Sequence, residues 1–204
     1  MPTSTFLNLP HEKRDRIMQA AIKEFGLRCL TEANLANIIK DSKISRGSLY
    51  QYFESKEDLY EYLFIKLREE RASYVQPAYA LYKKEPFLDF FQSFYLLDSE
   101  YLLAHPAHIE LGKMLYSGKD STSLGLIHSQ QTSYKEAYLL AIDFDKDRGL
   151  IRKDVSSSAL ADLCVHLVTD IFIFQSIHTQ FSLMNIKQHF QQTMDILRHG
   201  VLPD

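Results

Sequence analysis

The stretch that decides the fold runs from residue 40 to residue 59 and reads KDSKISRGSLYQYFESKEDL. Ser45 suits the N-cap of a short helix, because its hydroxyl can accept a hydrogen bond from a backbone N–H in the first turn. At 100° per residue, Leu49 and Phe53 share one face of that helix and are expected to pack inward. The stretch therefore predicts a turn followed by an amphipathic helix over about residues 45–52.

The outer face of this helix carries small and polar groups. Gly47 has no side chain to hold the backbone away from a ligand, and Ser48 can donate or accept a hydrogen bond. Gln51 can form a bidentate pair with adenine, and Arg46 can reach a guanine edge or a phosphate. A short helix of this composition fits the DNA major groove, as the second helix of a helix-turn-helix does. The periodicity alone fits equally well a short amphipathic helix within an all-α core.

Another helix is predicted to start directly after this one, with Ser55 as its N-cap. Glu57 and Asp58 in its first turn suit the helix dipole. Lys56 and the backbone N–H groups at that end can hold a phosphate. The full set of predicted DNA-contacting residues is Asn34, Lys43, Ser45, Arg46, Gly47, Ser48, Tyr50, Gln51, Tyr52 and Lys56.

The order of residues over 45–59 resembles the signature of the TetR (tetracycline repressor) family of bacterial regulators. Residues 17–25 resemble the first helix of that family, and residues 34–40 resemble its second helix, with Asn34 as N-cap. The resemblance covers about residues 10–65. Beyond them, only the length and the helical pattern agree with the family.

Three positions depart from the family pattern. Lys43 stands where the family usually has Gly, and a non-glycine residue in a left-handed turn costs about 1 kcal/mol. Cys29 replaces a Gly that often ends the first helix. Ile39 replaces a small Ala of the second helix, which predicts a wider crossing of the second and third helices.

Length and composition fit an all-α protein and disfavour an all-β one. The 204 residues, 46% of them hydrophobic, suffice for a buried core, whereas 7 Gly and 6 Pro are too few for an all-β fold with many tight turns. The helical pattern indicates about nine helices, with a kink or break near Pro77. The resemblance implies a three-helix helix-turn-helix DNA-binding domain over residues 1–55. It also implies a helical effector-binding and dimerisation domain over residues 56–204.

Two C-terminal helices, over about residues 158–181 and 185–199, are the candidates for a dimer interface. The first is apolar on most sides, as expected for a helix buried against more than its own domain. In the family these helices form a four-helix bundle between two subunits, and a twofold dimer binds a palindromic operator. The alternative is that both are core helices of one chain. The predicted interface residues are Leu163, Leu167, Ile171, Phe174, Phe190, Met194 and Leu197.

The aromatic-rich middle of the chain predicts a pocket for a small apolar ligand, since bundle interiors often hold such sites. His166 and Asp170 lie four residues apart on one helix face and can position a polar group. The alternative is that the aromatic side chains are core residues and that His166 and Asp170 satisfy each other or water. The candidate pocket residues are Phe91, Tyr95, Tyr134, Tyr138, His166 and Asp170.

Other classes of function have less support in the sequence. It has no nucleophile–base spacing, metal-ligand cluster or phosphate loop, so we expect no enzyme, cofactor or metal site. Cys29 and Cys164 lack metal or redox spacing and are expected to be small buried side chains in a reducing compartment. Residues 1–9 lack the features of a signal peptide, and the apolar-rich stretch 163–177 is too short to span a bilayer. We therefore expect a cytoplasmic protein that does not contact a membrane.

The resemblance implies a ligand-responsive regulator that acts as a homodimer on double-stranded DNA with a palindromic operator. It further implies a repressor that a small-molecule inducer of unknown identity releases. Two alternatives come from the residues themselves. One is an all-α carrier or enzyme that uses the aromatic cavity, and the other is a helical adaptor that binds protein through its apolar C-terminal face.

Overall fold

The computed structural model describes residues 1–177 and 183–202, and it describes side chains for residues 1–169 and 184–202. These residues form ten α-helices and no β-strand, so the predicted all-α class is confirmed. The helices are α1 (Ser4–Leu7), α2 (His11–Leu27), α3 (Leu35–Ser42), α4 (Arg46–Tyr52), α5 (Lys56–Tyr79), α6 (Phe87–Ala104), α7 (Pro106–Ser117), α8 (Ser121–Asp147), α9 (Ser157–Ile177) and α10 (Leu183–Val201).

The predicted bounds of α4 and α10 agree with the described ones to within two residues, as does the predicted start of α9, while its predicted end at residue 181 lies outside the described residues. The short helix α1 precedes Pro10 and was not predicted; it accounts for ten helices in place of about nine. Helix α5 contains Pro77 and ends two residues later at Tyr79. This end agrees with the predicted break, because proline removes a backbone donor and crowds the preceding turn.

The described residues divide into two compact units. Unit 1 comprises residues 1–70 and 105–128, and unit 2 comprises residues 71–104 and the described residues from 129 onward. The predicted boundary after residue 55 therefore falls inside unit 1. The reason is that α7 packs on α2, with Leu111 and Leu115 buried in the same core as Ile22 and Phe25.

The core of unit 1 joins α1, α2, α4, α5 and α7. Phe25 of α2 and Tyr60 of α5 are fully buried and meet edge to face, with ring centroids 4.9 Å apart. Phe6 of α1 packs against Phe53, with ring centroids 4.7 Å apart. Aromatic pairs of this geometry stabilise a core beyond the burial of their apolar area. Here they hold α2 against α5, and α1 against the end of α4.

The core of unit 2 is built on the aromatic face of α6. Phe87, Phe90, Phe91 and Phe94 are buried there together with side chains from α8, α9 and α10. The first turn of α6 is capped by a buried carboxylate, because the Phe87 N–H donates to Asp145 at 2.6 Å.

Among the residues that the structure describes, no helix is long and apolar enough to cross a bilayer.

Candidate nucleic-acid interface

The turn between α3 and α4 is built around Lys43, whose backbone is left-handed at φ 54° and ψ 44°. Its N–H donates to the Lys40 carbonyl oxygen at 3.2 Å, which closes the C-terminus of α3. Arg16 of α2 adds a bond from Nε to the Ser42 carbonyl oxygen at 2.7 Å. These bonds offset the cost of a left-handed lysine, about 1 kcal/mol, so the turn forms without the usual glycine.

Helix α4 begins as the sequence predicts. The Ser45 hydroxyl accepts a hydrogen bond from the Ser48 N–H at 3.1 Å, which confirms the predicted N-cap. Leu49 and Phe53 are fully buried and Ile44 is half-buried, so the predicted inner face is also confirmed. This burial fixes the rotation of the helix, and the opposite face is therefore the one turned to solvent.

The outer face of α4 presents Arg46, Gly47, Tyr50 and Gln51 to solvent, with Ser48 half-buried between them. The Arg46 guanidinium carbon lies 6.0 Å from the centroid of the Tyr50 ring, so these two side chains form one edge of the face. A guanidinium, an amide, a hydroxyl and a phenol are thus displayed on one side of a seven-residue helix. These are groups that bind base edges and phosphates.

Gly47 lies in open space at the centre of this face. A Cβ added to it would meet only the Ser45 hydroxyl oxygen, at 4.0 Å. Gly118 differs, because a Cβ there would come within 2.7 Å of the Ser123 hydroxyl oxygen. Packing within the described protein thus explains glycine at 118 but not at 47, where glycine lowers helix stability by about 1 kcal/mol relative to alanine.

The charges beside α4 favour an anionic ligand. Lys40, Lys43 and Arg46 are all exposed. The nearby carboxylate of Asp41 accepts a hydrogen bond from Lys23 Nζ at 2.6 Å. This hydrogen bond lowers the pKa of Asp41, so the carboxylate stays ionised, and Lys23 compensates its charge.

A buried carboxylate holds the loop before α3. Glu24 is only 4% exposed and accepts hydrogen bonds from the Asn34 N–H at 2.8 Å, from Asn37 Nδ2 at 2.9 Å and from Arg28 at 3.0 Å. The Asn34 side chain accepts from the Ala36 N–H at 2.9 Å, which confirms it as the N-cap of α3. Sequence reasoning missed Glu24, although a buried position on the inner stripe of α2 is one signal that a glutamate has partners.

Two predicted DNA contacts need correction. Tyr52 is 3% exposed and packs against Phe6 with ring centroids 5.9 Å apart, so its side chain belongs to the core of unit 1. Lys56 is half-buried, and its Nζ donates to the carbonyl oxygens of Thr31 and Ala33 at 3.2 and 3.1 Å. Two of its three N–H donors are therefore used to hold the loop between α2 and α3, which gives Lys56 a positioning role.

The segment before α2 supports the end of α4, a feature that the sequence pattern did not indicate. The Thr3 N–H donates to the Tyr52 carbonyl oxygen at 2.9 Å, and the Thr3 hydroxyl donates to the Gln51 carbonyl oxygen at 2.7 Å. The last carbonyl groups of a helix have no partner within it. Thr3 supplies those partners, and the buried Phe6 three residues later anchors the segment.

In unit 2 the structure brings together four of the predicted pocket residues. Phe91 and Tyr138 meet edge to face with ring centroids 5.5 Å apart, and Tyr134 stacks on Tyr138 at 6.0 Å. Tyr95 lies against Phe190, with ring centroids 3.6 Å apart.

Tyr138 is 3% exposed, and its buried hydroxyl has no hydrogen-bond partner in the structure. Burial raises the pKa of this hydroxyl well above its usual value, so it is a neutral potential donor.

The other two predicted pocket residues do not join this cluster. His166 is exposed, and its Nδ1 lies 2.7 Å from the Asp162 carbonyl oxygen one turn earlier. The inward side of α9 carries Cys164 and Val168, which places His166 on the outer side and corrects its assignment to the pocket. The side chain of Asp170 lies outside the described residues.

Among the described residues, no group of three His, Cys, Asp or Glu side chains has a metal-binding arrangement.

The predicted dimer residues separate into three groups. Phe190, Met194 and Leu197 of α10 are buried in the core of unit 2, so their assignment to an interface is wrong. Leu163 is 45% exposed and Leu167 is half-buried, so both offer apolar surface. The side chains of Ile171 and Phe174 lie outside the described residues. The alternative of a core helix thus holds for the apolar face of α10.

The helix-turn-helix segment matches a known family. Residues 17–63 match the family model described as bacterial regulatory proteins of the tetR family, and they contain α3, the turn at Lys43 and α4. This segment is a DNA-binding domain of the tetR-family type. The matched residues lie entirely in unit 1.

Two curated relatives agree with this assignment over the same part of the chain. An uncharacterized HTH-type transcriptional regulator, YdgC of Bacillus subtilis (strain 168), is 37% identical over 49 residues, which are 24% of this chain and 25% of the relative. The HTH-type transcriptional regulator HbdR of Aromatoleum sp. (strain CIB) is 34% identical over 68 residues, 33% of this chain and 28% of the relative. The chain therefore matches about a quarter of the length of each relative.

The fold of the whole chain is found in solved structures. A TetR family transcriptional regulator from Chloroflexus aurantiacus J-10-FL superposes with a TM-score of 0.71 at 19% identity, over 100% of both chains. At this identity the similarity establishes a shared fold. It extends the all-α assignment beyond the matched segment.

Proposed function

We propose that this chain is a DNA-binding transcriptional regulator of the TetR type that places α4 in the major groove of double-stranded DNA. The observation that carries the proposal is the exposed Gly47 at the centre of a polar helix face. No neighbouring residue requires glycine at this helical position. A close approach of another molecule to the backbone would explain it. A DNA duplex is such a molecule, and the lysines beside the helix suit its phosphates.

The outer residues of α4 have separable roles in this proposal. Gln51 and Ser48 face the base edges, and the exposed Arg46 reaches a guanine or a phosphate. Asn34, Lys43 and Tyr50 lie at the ends and the edge of the same surface and contact the backbone. Backbone contacts set the register of the protein on the duplex, and base contacts set its sequence preference.

The regulator acts as a homodimer on a palindromic operator in this proposal. Within the described residues, Leu163 of α9 is 45% exposed and Ile196 of α10 is 74% exposed. Large exposed apolar side chains on two C-terminal helices are suited to a contact between copies. A twofold dimer presents two copies of α4 to half-sites one helical turn, or a multiple of it, apart.

A small-molecule inducer controls the regulator, and it binds at the aromatic cluster of unit 2. The unpartnered Tyr138 hydroxyl supports this part of the proposal, because a buried donor without an acceptor is costly unless a ligand or water supplies one. The inducer acts by binding the DNA-incompetent shape more tightly. A coupling free energy of about 1–3 kcal/mol is typical of such regulators.

Selection of bound DNA from a random pool tests the proposal. The expected product is a palindrome, since two identical α4 helices bind it. Gln51→Ala is expected to weaken binding to the selected site by about 1–3 kcal/mol and to relax base choice at one position of each half-site. Gln76→Ala, which changes an exposed glutamine of α5 in unit 2, is the matched control. Recovery of no preferred sequence would contradict the proposal.

A further inference from the structure

Unit 1 contains a cavity of about 460 Å³ that the proposed DNA-binding function does not use. It lies among α1, α2, the first part of α5 and the start of α7, all within unit 1. Its volume falls within the usual range of small-molecule sites. The apolar part of the wall is formed by Phe6, Met18, Ile22, Leu63 and Leu67.

The polar part of the wall contains a cation without a carboxylate partner. Arg14 is half-buried, and its described hydrogen bond goes from Nη1 to the Leu7 carbonyl oxygen at 2.7 Å. Within the described residues no carboxylate pairs with it. A guanidinium has five N–H donors in a planar fork that matches a carboxylate, so most of the Arg14 donors remain for a ligand.

The other charged groups of the wall do not neutralise Arg14. Asp15 lies 2.7 Å from His11 Nδ1, and Glu70 lies 3.9 Å from His105 Nε2. Lys66 donates to Glu69 at 2.6 Å. That bond raises the pKa of Lys66, while charge repulsion from Arg14 opposes the rise. Lys66 is thus paired with Glu69, and Arg14 is the cation of this wall for which the described residues supply no carboxylate. A guanidinium without a carboxylate partner, beside an apolar wall, suits an anion with an apolar body.

We propose that this cavity binds a small organic carboxylate, with its carboxylate on Arg14 and its apolar body against Phe6 and Leu63. The site is separate from the aromatic cluster of unit 2. It takes a different class of ligand, because it offers a guanidinium where the cluster offers the Tyr138 hydroxyl.

Ligand binding in this cavity acts on α4 through two direct contacts of α1. Phe6 lines the cavity and packs against Tyr52 and Phe53 at the end of α4, at 5.9 and 4.7 Å between ring centroids. Leu7, which accepts from Arg14, ends the same helix α1 that follows Thr3. A carboxylate that draws Arg14 away from Leu7 changes the support of α4. This second step rests on the proposed DNA-binding function.

Calorimetric titration of the full-length protein with phenylacetate tests the site, with phenylacetamide as the neutral probe of the same shape. We expect phenylacetate to bind one site per chain and phenylacetamide to bind at least about tenfold more weakly, since a charge-assisted bond is lost. Arg14→Gln is expected to weaken phenylacetate binding by a similar factor and Arg14→Lys by less. Lys113→Gln, an ion-paired lysine of unit 1 outside the cavity wall, is the matched control. Tyr138→Phe is measured beside it to detect a ligand bound at the aromatic cluster of unit 2.

Two results would overturn the site. One is no binding of phenylacetate at millimolar concentration to wild-type protein whose thermal unfolding is cooperative. The other is binding that Arg14→Gln leaves unchanged and Tyr138→Phe removes, which would place the ligand in unit 2. The effect of the ligand on α4 is measured separately, as a change in the affinity of the protein for the selected DNA when phenylacetate is present. If no DNA is bound in any condition, the proposed function fails while the calorimetric result still decides the site.

Discussion

Thr3 donates through its hydroxyl to the carbonyl oxygen of Gln51, 2.7 Å away, and so connects the start of the chain to the last turn of α4. Gln51 is also the residue whose side chain we place on a base edge. The backbone of one residue of the proposed DNA surface is therefore held by a threonine 48 positions earlier in the sequence. Because helix ends fray when their carbonyl groups lack partners, this bond bears on how firmly Gln51 is presented.

Removing that hydroxyl tests its role. Thr3→Val keeps the shape of the side chain and the backbone N–H bond to Tyr52 but loses the bond to Gln51. We expect the free energy of unfolding to fall by about 1 kcal/mol, measured by urea denaturation, together with weaker binding to the selected DNA. Thr5→Val, at an exposed position of α1, is the control and is expected to change neither quantity. Equal effects of the two substitutions would contradict the assignment.

The Glu24 carboxylate is expected to stabilise unit 1 through the loop before α3. Glu24→Gln keeps the side-chain size but replaces one acceptor oxygen with a donor that faces the amide of Asn37 or the guanidinium of Arg28. We predict a loss of about 1–3 kcal/mol in the free energy of unfolding. Glu32→Gln removes a charge from an exposed site nearby and serves as the matched control. A loss no larger than that of the control would show that Glu24 is not structurally required.

The free energy of unfolding is expected to fall at alkaline pH, partly because of the ionisation of Tyr60. Burial raises its pKa to about 12 from an ordinary 10, although its hydrogen bond with Ser123 acts the other way. Between these pH values the unfolded chain has lost the phenolic proton that the folded protein keeps, so the free energy of unfolding falls as pH rises. Tyr60→Phe removes this contribution, and we expect a shallower decline in chemical denaturation between pH 10 and 12.

The exposed Tyr50 supplies the comparison for that titration. Tyr50→Phe is expected to leave the alkaline decline as it is in the wild-type protein. A decline equally steep in Tyr60→Phe would mean that other groups account for it.

The two cysteines are expected to differ in reactivity. Cys164 is fully buried, and burial raises the pKa of its thiol, so both access and the thiolate fraction are low. Cys29 is half-buried, which differs from the buried environment that the sequence predicted. A thiol reagent added to native protein is expected to label Cys29 first and Cys164 only on unfolding. Rapid labelling of native Cys29→Ser protein would contradict this account.

Local sequence patterns predicted the helix-turn-helix well, because its determinants are close together in the chain. Ser45 and Asn34 were expected as N-caps and each accepts the hydrogen bond that defines the role. The family resemblance placed Lys43 in the left-handed turn, and it is found there. Each of these features depends on a few neighbouring residues and on helix geometry alone.

Features that depend on distant residues were not predicted. Tyr52 was predicted to contact DNA at the flank of α4, but Phe6 packs against its ring. No residue near Tyr52 in the sequence indicates this packing. The apolar stripe of Phe190, Met194 and Leu197 was recognised correctly as a stripe. A stripe does not reveal what packs on it, and the structure shows that the aromatic face of α6 does so within the same chain.

The central claim is that α4 meets DNA at Gly47, and the pair Gly47→Ala and Gly125→Ala tests it most directly. Both glycines lie in helices, both are exposed, and in both cases an added Cβ has open space within the described protein. Each substitution is therefore expected to raise the free energy of unfolding by about 0.5–1 kcal/mol.

The decisive measurement is the affinity of these two variants for the DNA recovered by selection, titrated at one salt concentration. We predict that Gly47→Ala binds at least about tenfold more weakly than wild type, about 1.4 kcal/mol, although it is the more stable protein, and that Gly125→Ala binds as wild type does. Undiminished binding by Gly47→Ala would contradict the account.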